Sequence, residues 1–139
     1  MSKVTYGSGT ADDPWLLKTP PNSSEYQAWR DENLDTPALV VQVGKTKLSY
    51  RLQCIEDLHA MLKWHGDWMA LRNADEGKPV KDDTIEAWAR SNDNPAKGYY
   101  GLRKGYRDRF ANYVTPVLEL LGLVELEHKA RNNRVRAKP

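Results

Sequence analysis

The residues able to do chemistry are few, and their spacing decides what each could do. His59, His65 and His128 are the only histidines. No two stand four apart, as two imidazoles on one helical face must, and there is no Cys-x-x-Cys, so no metal centre is expected. Cys54 and His59 are five apart, which on one helix separates them by about 140°. A thiolate–imidazole pair within that helix is therefore not expected, and Cys54 reads as an ordinary partly buried thiol. The carboxylate pairs Asp12/Asp13, Glu56/Asp57 and Asp82/Asp83 are sequence neighbours, which share neither a helix nor a strand face, so they read as caps and solvated surface. Gly44-Lys45-Thr46 ends like a phosphate-binding loop, but Leu39 stands where that loop needs glycine, and Lys47 to Leu52 alternates as a strand would. Gly98, Gly101 and Gly105 miss the dinucleotide-binding spacing. No catalytic residue is assigned, and no cofactor or metal is expected. An enzyme is the least favoured class; it would need a pocket lined by aromatics such as Trp15, Trp29, Trp64 or Trp88 with convergent polar groups.

What remains is cationic. Residues 1–96 hold 11 Lys and Arg against 15 Asp and Glu, whereas residues 97–139 hold 10 against 4. Asymmetry of this kind hints at an anionic partner, although an acidic half and a basic half could also simply face each other. Leu123 to Ala130 and Asn133 to Ala137 read as two strands joined through Asn132-Asn133, since Asn tolerates the positive φ of a tight hairpin turn. Registered about that turn, Arg131 faces Arg134 and Lys129 faces Arg136. Val124, Leu126, His128, Ala130, Val135 and Ala137 then point inward, with His128 packed and hydrogen-bonded. Like charges directly opposed destabilise a sheet, so a cationic tip makes sense if something anionic neutralises it. On a helix starting near Gly101, Arg103, Lys104 and Arg107 occupy one sector beside the apolar stripe Leu102, Tyr106, Phe110 and Tyr113. The candidate nucleic-acid-binding set is thus Arg103, Lys104, Arg107, Lys129, Arg131, Arg134 and Arg136.

The elements that must position these residues read as a single α+β domain over residues 1–139. The chain is 40% hydrophobic and 29% charged, too apolar for disorder and long enough to bury a core. Residues 1–37 form an extended lead-in, pinned by Trp15, Leu16 and Leu17, with a short helix from Ser23 or Ser24 to about Glu32 that carries Tyr26 and Trp29 on one face. Residues 38–53 form a hairpin about Gly44-Lys45-Thr46, with Leu39, Val41 and Val43 alternating, then Leu48, Tyr50 and Leu52. Ile55, Leu58, Met61 and Leu62 mark a helix closed by Gly66. Trp68 to Leu71 reads as a strand. Asp83 with Glu86 resembles a capping box for a helix carrying Ile85, Trp88 and Ala89. Thr115-Pro116 reads as the start of a further short helix ended by Gly122, giving three to four helices in all. No apolar run approaches the ~20 residues of a membrane span, the N-terminus has no signal-peptide pattern, and one cysteine suits a reducing compartment; a cytoplasmic protein is expected.

The order from Ile55 onward (helix, strand, helix, helix, strand, turn, strand) resembles the winged helix-turn-helix family. Leu120-Leu121-Gly122-Leu123-Val124-Glu125 is similar to that family's passage from recognition helix to wing. The resemblance, over residues 55–137, implies DNA binding with Arg103, Lys104 and Arg107 on a helix and Lys129, Arg131, Arg134 and Arg136 on the wing. The short helix before Gly122 offers only Glu119 as an exposed charge, so base-reading residues are unassigned.

A second resemblance spans almost the whole chain. Gly9-Thr10, Asp13-Pro14-Trp15 and Thr19-Pro20-Pro21 look like an uncharacterised bacterial protein family, as do Asp57-Leu58-His59-Ala60, Gly66-Asp67-Trp68 and Tyr100 to Gly105. Glu127-His128 followed by Arg131-Asn132-Asn133-Arg134 completes the pattern. It implies a bacterial cytosolic protein and no particular chemistry. Two function classes follow: a nucleic-acid-binding domain acting through the basic C-terminal face, or a protein-interaction module, a homo-oligomer included, whose hairpin docks an acidic protein surface.

Overall fold

The computed structural model describes residues 7–72, 82–98, 100–102 and 109–139. Four strands, β1 (Trp15–Lys18), β2 (Glu25–Asp31), β3 (Ala38–Val43) and β4 (Thr46–Arg51), follow one another into an antiparallel sheet in sequence order. The expected hairpin is β3–β4, with Leu39 opposite Tyr50 and Val41 opposite Leu48. The outer edge of β4 is covered: Arg51 N–H donates to the Tyr100 carbonyl at 2.9 Å and Leu102 N–H to that of Ser49 at 2.8 Å.

The short helix expected after Ser23 is instead β2. Tyr26 and Trp29 are three apart and both buried, which mimics a helical stripe. In the strand they face opposite sides, and both sides are covered. Tyr26 and Ala28 join the main core with Trp15, Leu17, Leu39, Val41 and Tyr50; Trp29 packs with Ala38, Val40 and Leu102 on the other face. A sheet buried on both faces loses the alternation that identifies strands.

Helix α1 (Cys54–His65) buries Cys54, Ile55, Leu58 and Leu62 and ends at Gly66 in the left-handed region, φ +75°, where glycine avoids the penalty of a Cβ. Strand β5 (Met69–Ala70) follows. In α2 (Ile85–Arg90) the cap is Thr84, not Asp83: the Thr84 hydroxyl accepts from Ala87 N–H, and Asp83 sits at φ +61°. Glu86 does not complete a capping box. Its side chain is fully buried and accepts the N–H of Ala111 at 2.8 Å.

Ala111 belongs to α3 (Phe110–Leu120), which runs unbroken through Thr115-Pro116 where a new helix was expected to start. An internal proline costs a helix about 3 kcal/mol. Burial outweighs that cost here: Phe110, Ala111 and all of Tyr113 to Leu118 are buried. Local signals marked a boundary that tertiary packing overrode. Gly101 lies opposite Tyr50 in an isolated bridge, and α3, the helix that carries Phe110 and Tyr113, starts at Phe110 with Arg109 as its N-cap. Residues 103–108, Tyr106 among them, lie outside the described residues.

Strands β6 (Val124–Leu126) and β7 (Arg134–Ala137) complete a second sheet of order β5-β7-β6. One core runs from Trp15 and Tyr26 of the first sheet through α1, α2 and α3 to Val124 and Val135 of the second. Four rings surround its centre: Phe110 lies 5.5 Å from both Tyr50 and Tyr100 and 6.2 Å from Trp88.

Candidate interaction surface

Three of the seven expected cations, Arg103, Lys104 and Arg107, lie outside the described residues. The other four sit on the C-terminal ribbon, but in a different register from the one expected. Val124 pairs with Ala137, Glu125 with Arg136 and Leu126 with Val135. Relative to a two-residue turn at Asn132-Asn133, one strand has slid four places along the other. An even slide preserves the pleat, so Val124, Leu126, Val135 and Ala137 still share one face. It changes who stands opposite whom, and the expected opposition of cation to cation is corrected to cation opposite glutamate.

A larger loop makes the slide possible. Asn133 closes it with its side chain, accepting Lys129 N–H at 2.6 Å and donating to the Lys129 carbonyl at 2.9 Å, a pair of bonds that imitates one rung of a sheet. Asn132 adopts the anticipated positive φ, +60°. Because β6 stops at Leu126, alternation no longer governs His128, which is exposed instead of packed inward.

Arg134 and Arg136 are engaged. Arg134 makes a two-pronged contact with Glu127, Nε to Oε1 and a terminal nitrogen to Oε2, both at 2.9 Å. Arg136 meets Glu125 at 3.2 Å, and Lys129 Nζ lies 3.5 Å from Glu127. The guanidiniums also stack on one indole, with Arg134 5.1 Å and Arg136 4.5 Å from the Trp68 ring centre. Arg131 is exposed, and among the described residues no carboxylate pairs with it.

Hydrogen bonding from Arg134 is the main influence on Glu127; partial burial opposes it, and the charges of Arg134 and Lys129 add to it, holding the carboxyl down at about 2. A depressed folded value means that the ion pair contributes fully above the ordinary value near 4.5 and is lost as pH falls through about 2. A carbon-detected NMR titration is expected to place Glu127 well below the ordinary carboxylate range, and Arg134→Ala to return it toward that range.

Sequence reasoning did not find Trp68 as the platform, nor the glutamates as partners. A signal for the latter was there: Glu-x-Glu at 125 and 127 has the same two-residue period as Arg-x-Arg at 134 and 136, so one register satisfies both pairs.

Two further surfaces bear on function. Trp64, on the last turn of α1, is 85% exposed, and Leu16 on β1 is 53% exposed. An open cavity of about 1010 Å³ lies between the β1–β2 hairpin and the last turns of α3, walled by Leu17, Tyr26, Pro116 and Leu120 with Glu119 and His128. None of the four tryptophans that an enzymatic pocket would have used lines it. Trp15 and Trp29 are core residues and Trp88 stacks on Tyr100 at 5.3 Å.

Fold and surface together define a small mixed α+β protein whose C-terminal ribbon and α1–β5 turn present arginine and tryptophan. The chain belongs to the family of unknown function DUF6855, whose family model matches residues 7–138. Comparisons with curated proteins and with solved structures find no match. No described helix is long and apolar enough to cross a membrane.

Proposed function

We propose that this protein is a non-catalytic protein-interaction module, docking an acidic protein surface through the α1–β5 turn and the tip of the C-terminal ribbon. The observation that carries the reading is the state of the cations. A phosphate approaching Arg134 or Arg136 meets a charge already partly neutralised by a bonded carboxylate, whereas a protein surface can accept the paired side chains as they stand and contact the Trp68 indole on which they stack.

The element order from α1 to β7, with β7 between β5 and β6, is the order on which a winged-helix reading rests. In a DNA reader of that kind the helix before the wing enters the major groove. Here that helix is α3, enclosed along most of its length, and its half-buried positions Asn112, Glu119 and Leu120 include no cation. This favours protein over nucleic acid. Trp and Arg are also the side chains that most often dominate protein interfaces, and Trp64 at 85% exposure beside the turn to Trp68 supplies an anchor. Lys129 and Arg131 supply charge at the tip.

The test has two arms. A photo-reactive amino acid at position 64 is expected to give discrete protein adducts in cells, diminished by Arg131→Glu. Anisotropy titrations with duplex and single-stranded DNA at about 50 mM salt are expected to show no binding. Binding that weakens steeply with added salt would replace this reading with the nucleic-acid one.

A further inference from the structure

His128 connects three separate parts of the fold. It follows β6 by two residues, at the wall of the open cavity. Its Nδ1 lies 2.9 Å from the carbonyl oxygen of Pro20, in the turn between β1 and β2. Its Nε2 lies 2.6 Å from a carboxylate oxygen of Glu119, on the last turn of α3. A carbonyl and a carboxylate only accept, so both contacts are hydrogen bonds only when both ring nitrogens carry protons. The neutral ring has one N–H and one lone pair.

We propose that protonated His128 is a latch that ties the β1–β2 turn to α3 across the cavity wall, and that loss of one ring proton frees the turn. Which end opens follows from bond strength. A charge-assisted bond to a carboxylate is roughly twice as strong as one to a neutral carbonyl, so the remaining proton stays on Nε2 facing Glu119. Nδ1 then turns a lone pair on the Pro20 carbonyl, and repulsion replaces attraction there. Within the turn, Asn22 N–H donates to the Thr19 carbonyl at 2.7 Å, Thr19 N–H to that of Ser24 at 2.9 Å, and the Thr19 and Ser23 hydroxyls lie 3.4 Å apart. Asn22 sits at φ +59° and Thr19 and Pro20 are buried, so what the latch controls is the opening of these local bonds.

The charged and titratable groups around the ring come from every side. Glu119 belongs to α3. Lys18 of β1 and Glu25 of β2 line the same cavity, as does the Tyr26 phenol, which donates to the Tyr113 carbonyl. From the ring's own segment, Glu127 and Lys129 are paired with each other, and Glu127 also with Arg134. Glu119 is thus the carboxylate that meets the ring directly.

Burial is the largest single influence and lowers the pKa of His128, but the Glu119 and Pro20 hydrogen bonds and the charge of Glu119 outweigh it, so the net shift is upward from 6.5. The sign follows: the latch is fully closed below 6.5 and opens as pH rises through the higher folded value.

Nitrogen-15 NMR of the imidazole, read together with amide exchange in the Thr19–Ser24 turn, tests the proposal. The expected result is a doubly protonated ring with a midpoint above 6.5. Exchange of the Thr19 and Asn22 amides, corrected for intrinsic base catalysis, should accelerate roughly tenfold through that same midpoint. Glu119→Gln should lower the midpoint, and His128→Gln should give fast turn exchange at every pH with α1 protection unchanged. A ring that is neutral below 6.5, or turn exchange that ignores the ring's titration in the unmodified protein, overturns the latch.

Discussion

Replacing Glu86 with alanine is expected to lower folding stability by about 3–5 kcal/mol, the cost of removing one partner from a buried ionic contact, and to drop the melting temperature by roughly 10–20 °C. Glu86 is fully buried on α2, and its two oxygens do different work. One accepts the Ala111 N–H at 2.8 Å, and the other meets the Arg90 guanidinium at 3.3 Å. The first bond substitutes for a missing cap. Arg109 precedes α3 at φ +40° and makes no side-chain cap bond, so a carboxylate from another helix satisfies an amide that the helix itself leaves open. The negative charge also sits at the positive end of the α3 dipole. Glu86→Gln keeps an acceptor of the same shape and loses the charge, and should cost less, about 1–3 kcal/mol. Urea unfolding followed by circular dichroism measures both. An alanine variant within about 1 kcal/mol of the parent would mean that this carboxylate does not hold α3.

Phe110→Ala should be as damaging, at about 3–5 kcal/mol, through the cavity it leaves. Phe110 is the first residue of α3 and has no exposed surface. Its ring stands edge-on to Tyr50, with an interplanar angle of 90°, and is tilted against Tyr100 at 33°. It therefore joins the four-stranded sheet to the segment that covers that sheet's edge. Phe110→Leu keeps most of the apolar burial and forfeits the aromatic pairs, a loss of about 1–2 kcal/mol. Near-ultraviolet circular dichroism should lose intensity in the alanine variant, because Trp88 and Tyr100 no longer stack in a fixed frame. Glu86 and Phe110 hold the same helix end, so the double alanine variant should be less destabilised than the sum of the two. Strict additivity would mean that the two act on separate parts of the fold.

Legibility of the fold tracked how local the deciding physics was. The β3–β4 hairpin and α1 with its Gly66 terminus were readable because period-two alternation, period-3.6 recurrence and a glycine cap act over a few residues. Strand β2 was misread because a sheet covered on both faces buries Tyr26 and Trp29 on opposite sides, a pattern that spacing alone assigns to a helix. The break expected at Thr115-Pro116 was also local reasoning, and it failed because α3 is enclosed by partners remote in sequence.

The candidate surface divides in the same way. The sequence by itself determined that the C-terminal third is basic, that Val124, Leu126, Val135 and Ala137 share one face, although not that His128 and Ala130 leave it, and that Asn132 takes a positive φ. Pairing was decided only in three dimensions. A four-residue slide leaves every side chain on its face, so hydrophobic patterning is blind to it, yet it exchanges a row of opposed cations for arginines closed on Glu125 and Glu127. Proximity between Trp68 and those arginines, and between His128, Pro20 and Glu119, likewise joins residues separated by long stretches of chain. Alternation specifies faces; register and long-range contact need the whole core to choose among arrangements that local pattern treats as equal.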